Sequence, residues 1–150
     1  MKTLVQRVSE ASVSSAGKIL GAIDRGLLVL AGFGRNDGLE DLEWMTRKVL
    51  GLRIFPDSRD NMNLSVTDIG GEILVVSQFT LHADVRKGRR PSFIKAADPA
   101  DAVGLYETFV EMLAGSGLDV ESGIFGAAMQ VSLVNDGPVT IMMDSPAERS

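Results

Sequence analysis

Apolar positions along this chain change their spacing several times, and each change marks an element. Residues 4–8 and 11–13 read as short strands. Ser14-Ser15-Ala16-Gly17 predicts a turn, and 18–23 a returning strand. The run Leu27-Leu28-Val29-Leu30-Ala31-Gly32-Phe33 is apolar without interruption, which predicts a central strand covered on both faces. A loop follows over 34–38. From 39 to 52 the spacing lengthens: Leu39, Leu42, Met45, Val49 and Leu52 recur every three or four residues, as on one face of a helix. Its acids cluster early and its bases late, as the helix dipole prefers. Trp44 falls at the edge of this face and reads as a packing residue.

In the second half, 53–55 predicts a short strand stopped by Pro56, and 57–63 a polar, mobile stretch. Residues 68–71 turn the chain into 72–79, a second buried strand. Asp98-Pro99-Ala100-Asp101 opens a helix: Asp98 suits the cap, Pro99 the first helical position and Asp101 the positive end of the dipole. That helix is expected to bury Val103, Tyr106, Phe109, Val110 and Leu113 and to stop at Gly115-Ser116-Gly117. Strands are predicted at 118–121, 128–134 and 139–143, and a frayed tail at 145–150. This order predicts an α/β protein with one domain over 1–150, a mixed sheet carrying two packed helices. The opening hairpins argue against a doubly wound fold, and neither a Gly-x-Gly-x-x-Gly run after a strand nor a phosphate-binding P-loop is present.

Composition narrows the chemistry. With 150 residues and no cysteine, the chain needs no staple for a core and has no disulfide, thiolate nucleophile or thiolate-bound metal. Its net charge of −5 disfavours general nucleic-acid binding. The charge is uneven, however. Arg86-Lys87-Gly88-Arg89-Arg90 holds four of the 15 bases and no acid. Such a loop suits one focused anionic contact; a merely solvated loop is the plain alternative. Met1-Lys2-Thr3-Leu4-Val5 runs into Gln6-Arg7 without an apolar leader, and 27–33 is too short to span a bilayer. A soluble, cytoplasmic protein is expected.

Two runs at strand ends carry the candidate chemistry: Ser77-Gln78-Phe79-Thr80 and Asn135-Asp136-Gly137-Pro138-Val139-Thr140. Strand ends let a rigid sheet hold small polar groups and bare amides against a ligand. Neither run contains His, Cys, Glu or Lys. A triad of Ser77, His82 and Asp84 is disfavoured, because no Gly-x-Ser-x-Gly elbow exposes Ser77. One histidine and no cysteine also disfavour a metal site. Thr80 is the best-placed hydroxyl, and amides beside it could form an oxyanion hole. Read plainly, Ser77 and Thr80 are ordinary strand residues, and Asp136-Gly137 is a hairpin turn between two apolar strands.

Taken together, Val5-Gln6-Arg7-Val8, Met62-Asn63, Phe125-Gly126 and the segments 48–55, 70–81, 86–93 and 129–140 resemble the D-aminoacyl-tRNA deacylase family. The resemblance runs to about Asp144; His82 stands where other members vary. It implies a D-aminoacyl-tRNA deacylase-like, barrel-like fold and a homodimer. The implied activity is hydrolysis of the ester between a D-amino acid and the 3′-terminal adenosine of tRNA, and removal of glycine mischarged on tRNA for alanine, with no cofactor or metal. It implies a cis peptide at Gly137-Pro138 that reaches into the partner's active site, where main-chain carbonyls hold the substrate amino group and exclude an L side chain. Arg7 matches the residue that orients that motif. Ser77, Gln78, Phe79 and Thr80 would line the catalytic pocket, with amides near Phe79 and Thr80 facing the ester carbonyl. Phe125 and Met129 would border the adenosine. On this reading Arg86, Lys87, Arg89 and Arg90 meet phosphates near the acceptor end. Two other readings stay open: an RNA-binding module that holds aminoacylated 3′ ends without turnover, and a general esterase with Thr80 as nucleophile.

Overall fold

The computed structural model describes residues 1–146. Strand β1 (Lys2–Ser15) pairs with three others. It pairs antiparallel with β2 (Lys18–Ile23) through its second half and with β3 (Gly26–Gly32) through its first. Strand β3 runs parallel to β6 (Glu72–Ser77), which runs parallel to β7 (Val120–Ser122). The final strand, β8 (Gln130–Asp144), lies along the other edge of β1. A two-stranded ribbon, β4 (Phe55–Pro56) with β5 (Met62–Leu64), stands apart. Helices α1 (Leu39–Gly51) and α2 (Pro99–Ala114) fill the connections between the parallel strands and touch each other. The result is the expected nearly closed mixed sheet with two helices.

The sheet is apolar on both faces. Leu27, Val29 and Ala31 of β3 and Ile73 and Val75 of β6 pack towards the helices, against Leu42, Met45, Val49, Tyr106, Phe109 and Leu113. Alternate residues Leu28, Leu74 and Val76 pack on the opposite side with Val8, Ala11, Val13 and Ile23. Period-two geometry with both sides covered is why these strands read as unbroken apolar runs. Trp44 is half-buried against the helix-side core, the packing role expected of it.

Several expectations are corrected. Residues 4–8 and 11–13 belong to one strand, kinked where the β1–β8 register shifts between Gln6 and Glu10. The extra β1 residue between Val8 and Glu10 brings Val8 onto the same face as Ala11 and Val13, in the cluster opposite that of Val5. Strand β6 stops at Ser77, and Phe79–His82 is a 3-10 turn. Residues 57–63 are organised, not loose: Asp57 accepts bonds from the Arg59 and Asn61 amides and from the Asn63 side chain, and these hold its carboxyl below the usual range. The buried face of α2 is Ala102, Tyr106, Phe109 and Leu113, with Val103 and Val110 half-buried. Asp98 precedes that helix without a side-chain capping bond. Ser145 is tied down: its amide donates to the Met1 carbonyl at 2.8 Å and its hydroxyl to Asp41 at 2.7 Å. The rest of the expected frayed tail, 147–150, lies outside the described residues.

The largest correction concerns the expected hairpin. Residues 128–134 and 139–143 do not fold back on each other. Both pair with β1: Val134 faces Glu10, Asn135 faces Val8 and Thr140 faces Gln6. Four residues, 136–139, are therefore looped out of one strand opposite Arg7. A long neighbouring strand that accepts both halves has outweighed the local turn chemistry.

The hydroxyl of Tyr106 lies 3.1 Å from the Val75 carbonyl and 2.9 Å from that of Gly123, joining α2 to β6 and to the chain after β7. Burial pushes this phenol up to about 12. The unfolded chain ionises near the ordinary value of about 10. Stability is therefore complete below pH 10 and drains away between there and 12, as the unfolded state gives up a proton that the folded state keeps. This is the only tyrosine, so phenolate absorbance reads it directly. A midpoint near 12 is expected in the folded protein, and Tyr106→Phe should cost about 1–2 kcal/mol in denaturant unfolding at neutral pH.

Candidate active site

At its end β6 delivers Ser77 and Gln78 beside Ala31 of β3, with the Gln78 amide donating to the Ala31 carbonyl at 2.8 Å. The chain then winds through one short turn closed by Leu81 N–H to Gln78 O and Ala83 N–H to Thr80 O. A turn of this kind leaves its first amides without partners. Among the described residues the N–H groups of Phe79 and Thr80 donate to no backbone carbonyl.

Beside this turn opens a cleft of about 570 Å³, mostly apolar. Ser77, Gln78 and Phe79 line it from one segment and Phe125 and Met129 from another, with Phe33 and Phe93 among the other lining residues. The structure thus brings together five of the expected residues from two distant segments. Phe79 and Phe93 meet edge to face at 5.0 Å, and Phe125 lies 5.9 Å from the Tyr106 ring. Gly123 makes room for Met129: a Cβ there would fall 2.6 Å from the thioether sulfur. Phe33 and Phe93 are additions. Phe33 looked like core, and Phe93 sat unmarked behind the basic run.

Thr80 lies outside the cleft lining and is exposed, and its hydroxyl accepts a bond from the Gln78 side-chain amide. His82 is buried, and its Nε2 has no hydrogen-bond partner among the described residues. Asp84 bonds instead to Arg86. No Ser77-His82-Asp84 relay exists. A larger hollow of about 800 Å³ lies beside the Met1 end of β1, but it holds none of the expected site residues. Among the described residues no group of three or more His, Asp or Glu side chains is arranged to hold a metal ion.

The looped-out segment is a second feature, built from inside. The Arg7 guanidinium is nine-tenths buried. Its Nη1 donates to the Ile54 carbonyl at 2.6 Å and its Nε to the Asp136 carbonyl at 3.0 Å, with the Asp136 carboxylate at 3.5 Å. Asn135 Nδ2 donates to the carbonyls of Arg7 and Val139, each at 3.0 Å. The Gly137–Pro138 peptide is cis. Both residues are exposed, and neither has a partner in the β1–β8 register. Neither lines this chain's own cleft. Arg86, Lys87, Arg89 and Arg90 are also exposed and outside the cleft; they sit on a loop whose base is closed by paired backbone bonds between Asp84 and Ser92.

An apolar cleft with unpaired amides and no acid-base relay suits work on an activated bond, and comparison with known proteins gives the class of the protein. A model of the D-Tyr-tRNA(Tyr) deacylase family matches residues 4–144. A D-aminoacyl-tRNA deacylase of Thermotoga petrophila is 60% identical over 145 residues, 97% of each chain. Another, of Koribacter versatilis, is 57% identical over 148 residues, 99% of each. Among solved structures, one described as a c-Myc DNA unwinding element binding protein superposes with a TM-score of 0.92 at 46% identity, covering 98% of this chain and all of that one. A "probable eukaryotic D-amino acid tRNA deacylase" shares the fold, with a TM-score of 0.82 at 21% identity over 95% of this chain and 97% of that one. The protein is a hydrolase of the deacylase class. The chain belongs to the D-Tyr-tRNA(Tyr) deacylase family.

Gly137 leaves little tolerance. Its φ is +132°, and a Cβ would meet Val139 Cγ2 at 2.8 Å and Arg7 Nη2 at 2.9 Å. Gly137→Ala should therefore displace the exposed segment at a cost of about 1–3 kcal/mol. Arg7→Lys keeps the charge but cannot span both carbonyls. Both variants should speed amide hydrogen exchange over 135–140 while leaving that of β3 and β6 unchanged.

Proposed function

We propose that this enzyme hydrolyses the ester joining a D-amino acid to the 3′-terminal adenosine of tRNA. The same site removes glycine mischarged on tRNA for alanine. It works as a cytoplasmic homodimer in which the Gly137–Pro138 segment of one protomer closes the cleft of the other. One observation carries this reading: an exposed main-chain projection, fixed from below by Arg7 and Asn135, that does not line its own protomer's cleft.

Chiral selection follows from shape. A D-residue turns hydrogen towards the wall where an L-residue turns its side chain, so a stiff backbone rejects L-residues by overlap. Glycine presents hydrogen either way and passes. In the reaction, water adds to the ester carbonyl, the bond from the carbonyl carbon to the 3′ oxygen breaks, and that oxygen leaves with a proton as the tRNA hydroxyl. On this reading the amides of Phe79 and Thr80, which donate to no backbone carbonyl, receive the developing oxyanion, and the vicinal 2′-hydroxyl of the substrate assists. Phe125 and Met129, with the aromatic walls of the cleft, suit a purine ring. The basic loop 86–90 grips phosphate near the acceptor end.

Catalytic amounts of protein should release D-tyrosine from D-Tyr-tRNA over many turnovers and spare L-Tyr-tRNA. Binding without turnover would leave an RNA-binding module instead. Thr80→Ala should lower kcat by less than about tenfold, the scale of one neutral hydrogen bond, because its hydroxyl is engaged by Gln78 and no base is bonded to it. Complete loss with a trappable acyl-enzyme would mean a covalent route through Thr80.

A further inference from the structure

The four bases of the loop are not equivalent. Arg86 Nε donates to both Asp84 oxygens, at 2.9 and 3.1 Å, its Nη2 donates to Oδ2, and its amide donates to Oδ1 at 3.1 Å. These bonds hold the Asp84 carboxyl well below the usual carboxylate range, with Lys95 adding a lesser attraction. A forked, doubly bonded pair is the geometry in which an exposed ion pair persists. Lys87, Arg89 and Arg90 are exposed, and their side chains form no hydrogen bond or ion pair among the described residues. Between them Gly88 takes a left-handed turn, with φ of +66°.

Asp84 also stands at the base of the loop. Its backbone exchanges two bonds with Ser92, at 2.8 and 2.9 Å. The next residue, Phe93, packs on Phe79 in the cleft wall. The loop thus has a charge-neutral base attached to the cleft and three free cations at its tip.

We infer that Asp84 withholds Arg86 from RNA: Arg86 is a positioning residue for the loop, and Lys87, Arg89 and Arg90 make the phosphate contacts. This rests on the tRNA reading above and deepens it. A cation already neutralised by a carboxylate adds no net charge to neutralise phosphate, and releases no counterion when RNA binds. The loop should count as three charges and not four.

The test is the slope of log Kd against log salt for uncharged tRNA, measured by fluorescence anisotropy on the intact protein. Arg89→Gln should make the slope shallower by about 0.7–0.9, the share of one phosphate contact. Arg86→Gln removes the partner of Asp84 and leaves a bare carboxylate beside the three cations, so it should raise Kd and make the slope shallower, and Arg86→Lys should restore part of the loss. Asp84→Asn frees Arg86 and should steepen the slope by about 0.7–0.9, an effect that loosening of the loop alone would not produce. The double variant Asp84→Asn with Arg86→Gln should return to the wild-type slope. The inference is overturned if the double variant flattens the slope as Arg89→Gln does, or if Asp84→Asn leaves it unchanged. If no variant moves the slope, the loop does not grip RNA and the inference falls with it. D-selective deacylation, assayed on the same samples, shows separately whether the enzymatic reading stands.

Discussion

Three segments far apart in the chain converge on the guanidinium of Arg7: strand β1 that carries it, the Ile54 carbonyl just before β4, and the Asp136 carbonyl at the start of the looped-out segment. A buried cation must find acceptors, because an unpaired charge in a poorly polarisable interior is costly. Here the acceptors at hydrogen-bonding distance are main-chain carbonyls, so satisfying the charge also fixes where the backbone runs. Asn135 secures the other side by bonding the carbonyls of Arg7 and Val139. The exposed Gly137 and Pro138 stand on this base. Selection by overlap needs such a base, since a wall that yields would admit the wrong hand at little cost.

The cleft shares a similar economy of parts. One wall comes from the end of β6, the other from the chain after β7, and the Tyr106 hydroxyl touches a carbonyl in each, Val75 and Gly123. A single buried phenol thereby keeps the two walls in register. The same ring supports Phe125 from behind. On the proposed reading, what the cleft offers a substrate is apolar area plus the N–H groups left unpaired at its edge. These need no reorganisation as charge develops, so a relay such as Ser77-His82-Asp84 is unnecessary for an already activated ester.

Elements defined by local burial are legible in the sequence. Strands β3 and β6 betray themselves because covering both faces leaves no polar residue to interrupt them. Helix α1 ends one residue short of the expected 39–52. What misleads is chemistry that looks local and is decided at a distance. Asn135-Asp136-Gly137-Pro138 carries the composition of a tight turn, yet fourteen residues of β1 offer a ladder to both flanks, and the turn becomes a loop-out. Phe79 extended the expected strand because it is apolar. It is 56% exposed, serving the cleft in place of the core. Arg7, a charge in a strand, reads as solvent-facing by pattern; only family resemblance singled it out. Phe33 and Phe93 escaped notice for the complementary reason, since nothing in their neighbours tells that they line the same cleft.

Charge follows the same division between local and distant causes. The acidic body repels RNA at long range, so on the proposed reading affinity is concentrated where bases outnumber acids, at one loop. That loop is not an independent appendage. Its base is bonded at Asp84 and Ser92, and Phe93, next in the chain, touches Phe79, whose own amide opens the short turn at the end of β6. Any force on the loop therefore reaches the group that would polarise the ester through two aromatic rings in contact and a few peptide bonds. On the proposed reading, holding the substrate and orienting the reacting carbonyl are functions of one continuous stretch, 77–93, rather than of two separate sites.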